Sequence, residues 1–142
     1  MHPLIETMFS RAKKSVRKVV VCEGWDPRTI EAVSEILTEG LAEIVLLGNV
    51  EEIQKIASEK CVDISKATIV DHLSDPVKDE LVSELVELRK HKGLTQEQAS
   101  ELIKDVNYFG CMYVFKGYAD AVAGSTICST ADLMRPALQI LK

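Results

Sequence analysis

The sequence predicts an α/β protein built on a doubly wound, mostly parallel sheet. Two observations lead there. Short apolar runs without polar alternation, "KVVVC", "EIVLLG" and "ATIVD", recur along the chain, as strands buried on both faces require. Between them lie stretches whose apolar residues recur every three or four positions, bounded by Pro, Asp, Asn or Gly, which is the pattern of amphipathic helices. At 142 residues the chain has the size of one domain, with 46% hydrophobic against 27% charged residues, the mixture of a globular protein.

Taken in order, "PLIETMFSRAKKS" places Leu4, Ile5, Met8, Phe9 and Ala12 on one helical face, with Arg11, Lys13 and Lys14 where positive charge suits the helix dipole. "KVVVC" is a buried strand. In "EGWDPR", Asp26 is placed to cap a helix whose first residue is Pro27, and that helix carries Ile30, Val33, Ile36 and Leu37 inward and stops at Gly40. After the strand "EIVLLG", Asn49 opens another helix and "ATIVD" forms a third strand, so the chain alternates as a parallel sheet with right-handed crossovers does. Pro76 begins a helix that turns Val77, Leu81, Leu85 and Leu88 inward and ends at Gly93; Thr95 and Gln98 form a capping-box pattern for the next. "VNYFGCMYVFKG" is apolar throughout, so periodicity cannot separate helix from strand; the reading adopted is helix. "ADAVAG" is a fourth strand and "STADLMRPALQILK" a closing helix.

The charges exclude several classes of function. With 17 basic and 22 acidic residues the net charge is -5, which argues against a broad nucleic-acid or anionic-membrane surface. No nucleic-acid partner and no membrane partner are expected. Nowhere do about eighteen apolar residues follow one another, and the N-terminus has neither a long apolar run nor a small-residue cleavage site. Cys22, Cys61, Cys111 and Cys128 are dispersed and form no C-x-x-C pair, so a reduced, cytoplasmic setting is expected. His2, His72 and His91 lack metal-ligand spacing, and no metal is expected.

In a doubly wound sheet, ligands sit beyond the carboxyl ends of the strands. The loop after Gly124 is the most suggestive, because Ser129 and Thr130 add hydroxyls at a helix entry whose free N–H groups favour an anion. The alternative is that Ser129 is only a helix cap. Arg135 follows Ser129 by six residues, roughly 9 Å along a continuous helix, and its side chain tilts back toward that entry. Pro136 disfavours helix at Arg135, so the helix either starts at Pro136 or kinks there, leaving Arg135 beside unpaired backbone groups as a forked phosphate ligand or as a surface residue. Arg89 opens "RKHKG", a basic cluster that complements a helix C-terminus. Trp25, in the loop after the first strand, is placed either to stack on a ligand or to pack, and packing is the reading adopted.

Four blocks, "VVVCEGWDPRTIEAVSEILTEGLAEIVLLGN", "LVELRKHKGLTQEQA", "NYFGCMYVFKGYADAVAG" and "STADLMRPALQILK", resemble successive blocks of the phosphate acetyltransferase family, over essentially the whole chain and in the family's order. The resemblance implies a three-layer α/β/α fold of the isocitrate/isopropylmalate dehydrogenase type, with residues 1–142 forming most of a first domain. It places a second domain, and a segment returning to the first, beyond Lys142. It implies transfer of an acetyl group between coenzyme A and inorganic phosphate, with coenzyme A and acetyl phosphate as substrates and no further cofactor. Arg89 and Arg135 correspond to cleft arginines that engage phosphate or coenzyme A, with Arg135 also catalytic, and Ser129 and Thr130 to hydroxyls lining the acyl-phosphate pocket. The family's catalytic aspartate and its serine-arginine partner match nothing here, so this segment alone is expected to be inactive. Two positions depart from the pattern: Cys22 stands for a common proline and Cys128 for a common histidine. A phosphate butyryltransferase is the related alternative, and a non-catalytic module for assembly or acetyl-CoA sensing is the distant one, disfavoured because Met1 leads directly into the first helix. A homodimer is compatible with either enzyme.

Overall fold

The computed structural model describes residues 1–141; Lys142, which closes the stretch read as the last helix, lies outside them. The elements follow the predicted order. They are α1 (Pro3–Lys14), β1 (Lys18–Val21), α2 (Pro27–Glu39), β2 (Glu43–Leu47), α3 (Val50–Glu59), β3 (Thr68–Val70), α4 (Val77–Arg89), a 3-10 turn (Lys90–Lys92), α5 (Gln96–Ile103), α6 (Val106–Phe115), β4 (Ala121–Ala123) and α7 (Thr130–Ile140). The four strands are parallel and lie in the order β3-β2-β1-β4.

Local chemistry explains the boundaries. Asp26 caps α2 by accepting the Arg28 N–H at 2.7 Å, Pro27 supplies the first turn, and Gly40 ends the helix at φ 65°, a left-handed conformation that glycine adopts without steric cost. Asn49 caps α3, and Thr95 and Gln98 make a reciprocal capping box at α5. The ambiguous apolar stretch is helical: α6 buries Asn107 to Met112 without a break, and a helix buried all round has no amphipathic period to read.

Strand alternation divides the interior in two. Ile44 and Leu46 face α2 and α3, packing with Ile30, Val33, Leu37 and Ile53. Val20, Val45, Leu47 and Val70 face the other way, onto α4, α5, α6 and α7 through Leu81, Leu85, Ile103 and Phe109. Both faces are covered, as the bare apolar strands require. α1 is the exception. Its predicted apolar face is not buried: Leu4, Ile5 and Met8 are all exposed, and α1 contributes no core residue.

Candidate active site at the β1–β4 switch point

From β1 the chain winds outward through β2 and β3, then returns to place β4 on the other side of β1. At such a reversal the loops leaving adjacent strands diverge, and a crevice opens outside their carboxyl ends. Here the loops are residues 22–26 and 124–129.

The two loops are joined by a carboxylate. Glu23 is 1% exposed and accepts hydrogen bonds from the backbone N–H groups of Thr126 at 2.5 Å, Ile127 at 3.1 Å and Cys128 at 2.6 Å. Ser125, at φ 74°, turns the loop through the left-handed region just before them, a change of hand that lets successive N–H groups converge on one anion. Burial pushes the Glu23 carboxyl up, but the N–H groups outweigh it and hold it below the ordinary carboxylate range. Nearby, Arg28 pairs with Asp26 at 2.8 Å and donates to the Thr126 carbonyl at 3.2 Å, and the hydroxyls of Thr29 and Thr126 lie 3.3 Å apart.

One sequence expectation is corrected here. The loop entering α7 does not present a run of free N–H groups, because those of residues 126–128 are held by Glu23 and that of Ser129 by Asp132 Oδ2 at 3.1 Å. Ser129 is the N-cap of α7, in a capping box with Asp132. Only the N–H groups of Thr130 and Ala131 at this entry have no acceptor among the described residues.

The helix also starts earlier than one of the two readings of Pro136 allowed. It begins at Thr130 and runs through Pro136, which is buried. The capping box nucleates it upstream, and packing of Pro136 and Ile140 in the interior offsets the missing N–H that would have met the Asp132 carbonyl. Arg135 is exposed on this continuous helix.

Arg89 reaches α7 through Gln139, which in turn holds Tyr108. Arg89, half-buried at the end of α4, donates from a guanidinium nitrogen to the Gln139 carbonyl at 3.5 Å. Gln139 Oε1 accepts the Tyr108 hydroxyl at 2.9 Å. Arg135 lies four residues before Gln139, on the same helical face. Burial raises the Tyr108 phenol above its ordinary range, and the positive charges of Arg135 and Arg89 act in the opposite direction. Tyr108 follows Asn107, whose Oδ1 is 3.8 Å from Cys128 Sγ, so the cluster adjoins the loop that Glu23 holds. Two guanidinium groups near one phenol suit a multiply charged oxyanion.

Sequence reasoning did not single out Tyr108, Gln139 or Glu23. The only signal for Glu23 is a carboxylate directly after an apolar strand; its partners are more than a hundred residues away. Trp25 is half-buried and packs over Gly48, as a structural residue does. All four cysteines are free; burial pushes the Cys111 thiol up to about 11 and Cys22 well above the ordinary thiol range, so neither is a ready nucleophile. No cluster of three or more potential metal ligands occurs among the described residues. A groove of about 490 Å³ lies between α1 and the end of α2, by Lys13 and Glu39. It is shallow and at the amino end of the sheet, away from the crevice where this fold places ligands.

The profile described as "Phosphate acetyl/butaryl transferase" matches residues 3–142. The chain belongs to that family. A phosphate acetyltransferase from Thermoanaerobacterium thermosaccharolyticum is 48% identical over 139 residues, covering 98% of this chain and 42% of the relative. Another from Acetivibrio thermocellus is 43% identical over 138 residues, covering 97% and 41%. Among solved structures, a EutD phosphotransacetylase from Staphylococcus aureus superposes with a TM-score of 0.88 at 36% identity, over 98% of this chain and 42% of that one. A phosphotransacetylase from Streptococcus pyogenes gives 0.87 at 36% identity, over 96% and 42%. The chain thus spans well under half the length of these transferase relatives.

Proposed function

We propose that these residues form most of the first domain of a phosphate acetyltransferase, carrying one wall of a site that moves acetyl between coenzyme A and inorganic phosphate. The observation that supports the reading is the hydrogen-bonded chain Arg89–Gln139–Tyr108, with Arg135 one turn before Gln139 on α7, within a chain of this family. In one direction a phosphate oxygen attacks the thioester carbonyl of acetyl-CoA. The tetrahedral oxyanion then collapses to acetyl phosphate with loss of the coenzyme A thiolate; the reverse reaction begins with that thiolate.

Arg135 holds the transferred phosphate and is the catalytic cation. Arg89 orients phosphate or a phosphate group of coenzyme A, and Ser129 and Thr130 line the acyl-phosphate pocket. Such groups act by positioning and by offsetting charge that grows in the transition state. Acetyl is preferred to butyryl in this reading, since the relatives described above are phosphate acetyltransferases. A cytoplasmic homodimer using coenzyme A as substrate, without a separate cofactor or metal, belongs to the same reading. The 142-residue chain by itself is expected to be inactive.

The test is Arg135→Ala in a protein carrying both walls of the cleft. Turnover should fall by roughly 10²–10³-fold with a raised KM for phosphate. Unchanged kinetics would reject the role of Arg135, and a preference for butyryl-CoA would replace the acetyl assignment.

A further inference from the structure

We infer that Glu23 is a positioning residue, an internal anion that fills the N–H nest ahead of α7 and closes that nest to substrate. The inference rests on the reading above for what is being positioned. Its own basis is geometric.

A carboxylate with 1% exposure would be costly to bury without partners, yet this one receives three backbone N–H groups from consecutive residues. Those groups form the concavity that a phosphate would otherwise seek at a helix entry. With Glu23 in place, an incoming oxyanion meets a filled nest and a like charge. It is left to the arginines, the Thr130 hydroxyl, and the N–H groups of Thr130 and Ala131, since the Ser129 hydroxyl donates to Asp132 Oδ2 at 2.8 Å.

The same contact fixes where those groups stand. Glu23 leaves β1 at the centre of the sheet, and the adjoining Gly24 has no room for a side chain, since a Cβ there would lie 2.7 Å from the Leu47 carbonyl oxygen. The carboxylate therefore hangs from a rigid strand end. It grips Cys128, one residue before the α7 cap, while Ile127 remains 58% exposed and contributes little packing to hold the loop. The loop's shape depends on the carboxylate. Ser129 and Thr130 take their places from it, and α7, held further along by buried Pro136 and Ile140, carries Arg135 from there.

The experiment is NMR of the isotopically labelled 142-residue chain, with inorganic phosphate, formate and chloride as probes. In the wild type, phosphate should move the Arg89 and Arg135 side-chain signals and the Thr130 amide, and leave the amides of Thr126, Ile127 and Cys128 in place. In Glu23→Gln, which keeps the shape but replaces an acceptor oxygen with a donor, hydrogen exchange at those three amides should accelerate about tenfold or more while the β1 and β2 amides stay protected. In Glu23→Ala, formate or phosphate should enter the vacated nest and restore the three amide shifts, and chloride at equal ionic strength should not. Wild-type amides at 126–128 that shift with phosphate would overturn the inference, as would Glu23→Gln exchange equal to wild type. Phosphate without effect on either arginine would instead reject the proposed function; exchange and rescue decide the role of Glu23 independently.

Discussion

Gly24 shows how one residue can be dictated by its neighbours. Its N–H donates to the Leu47 carbonyl at 3.1 Å, bringing the two backbones so close that an added Cβ would sit 2.7 Å from that carbonyl oxygen and 2.8 Å from Ile53 Cδ1. The Ile53 methyl can turn aside, but the carbonyl belongs to a central strand and cannot. Gly24→Ala should therefore destabilise the chain by about 1–3 kcal/mol, measured by urea denaturation, although alanine loses less entropy on folding. Two residues on, the hydrogen bond from the Arg28 side chain holds the Asp26 carboxyl below the ordinary range. A carboxylate whose pKa is lower folded than unfolded adds stability above its unfolded value, near pH 4, and loses it as pH falls through the folded value. Asp26→Asn keeps the helix cap and removes the titration. The urea midpoint of the wild type should fall below about pH 4, and that of Asp26→Asn should fall less. Parallel acid profiles would show that Asp26 contributes nothing to the loss.

Among the helices, α6 is the one whose placement depends most on a small residue. At Gly110 an added Cβ would meet Cys22 Sγ at 2.8 Å and Val122 Cγ2 at 3.2 Å, so the helix lies directly on β1 and β4. Two effects compete in Gly110→Ala. Helix propensity favours alanine by about 1 kcal/mol, and overpacking against the sheet costs about 1–3 kcal/mol. Overpacking should win, lowering the urea midpoint; a raised midpoint would mean that α6 lifts off the sheet without loss. α7 presents a different balance. Its proline removes one internal hydrogen bond, yet the Ser129–Asp132 capping box and the burial of Pro136 and Ile140 hold the helix together and keep Arg135 and Gln139 on one face. α1 has the periodicity of a packed helix but buries nothing, since periodicity reports the ability to pack and not the presence of a partner.

Across the whole molecule, the sheet separates two cores that share its strands: Leu46 belongs to one and Leu47 to the other. Phe109 anchors the larger core, fully buried between the His72 edge at 6.1 Å and the stacked Tyr113 ring at 6.0 Å. Phe109→Ala should cost about 3–5 kcal/mol, a large part of the roughly 5–15 kcal/mol that holds a domain together. Trp25 is the only tryptophan and packs by Gly48 and Ile53, near the smaller core, so its fluorescence reports on the side away from the mutation. If the domain unfolds as one unit, the Trp25 transition should move together with the loss of helical circular dichroism. A Trp25 transition that stays put while the dichroism shifts would show two cores unfolding separately.

The sequence by itself determined the order of strands and helices, most of their ends and the inward faces of α2 and α4, because caps, glycines and periodicity act within a few residues of one another. By resemblance it also marked Arg89, Ser129, Thr130 and Arg135. Only the tertiary structure decided that β1 lies at the centre with β4 beside it, that Glu23 fills the loop before α7, and that Gln139 links Arg89 to Tyr108. Each of those is a contact between segments 31 to 105 residues apart. No local window of sequence records such a pairing, since the partner of a buried carboxylate or a guanidinium is chosen by the packing that brings distant backbone to it.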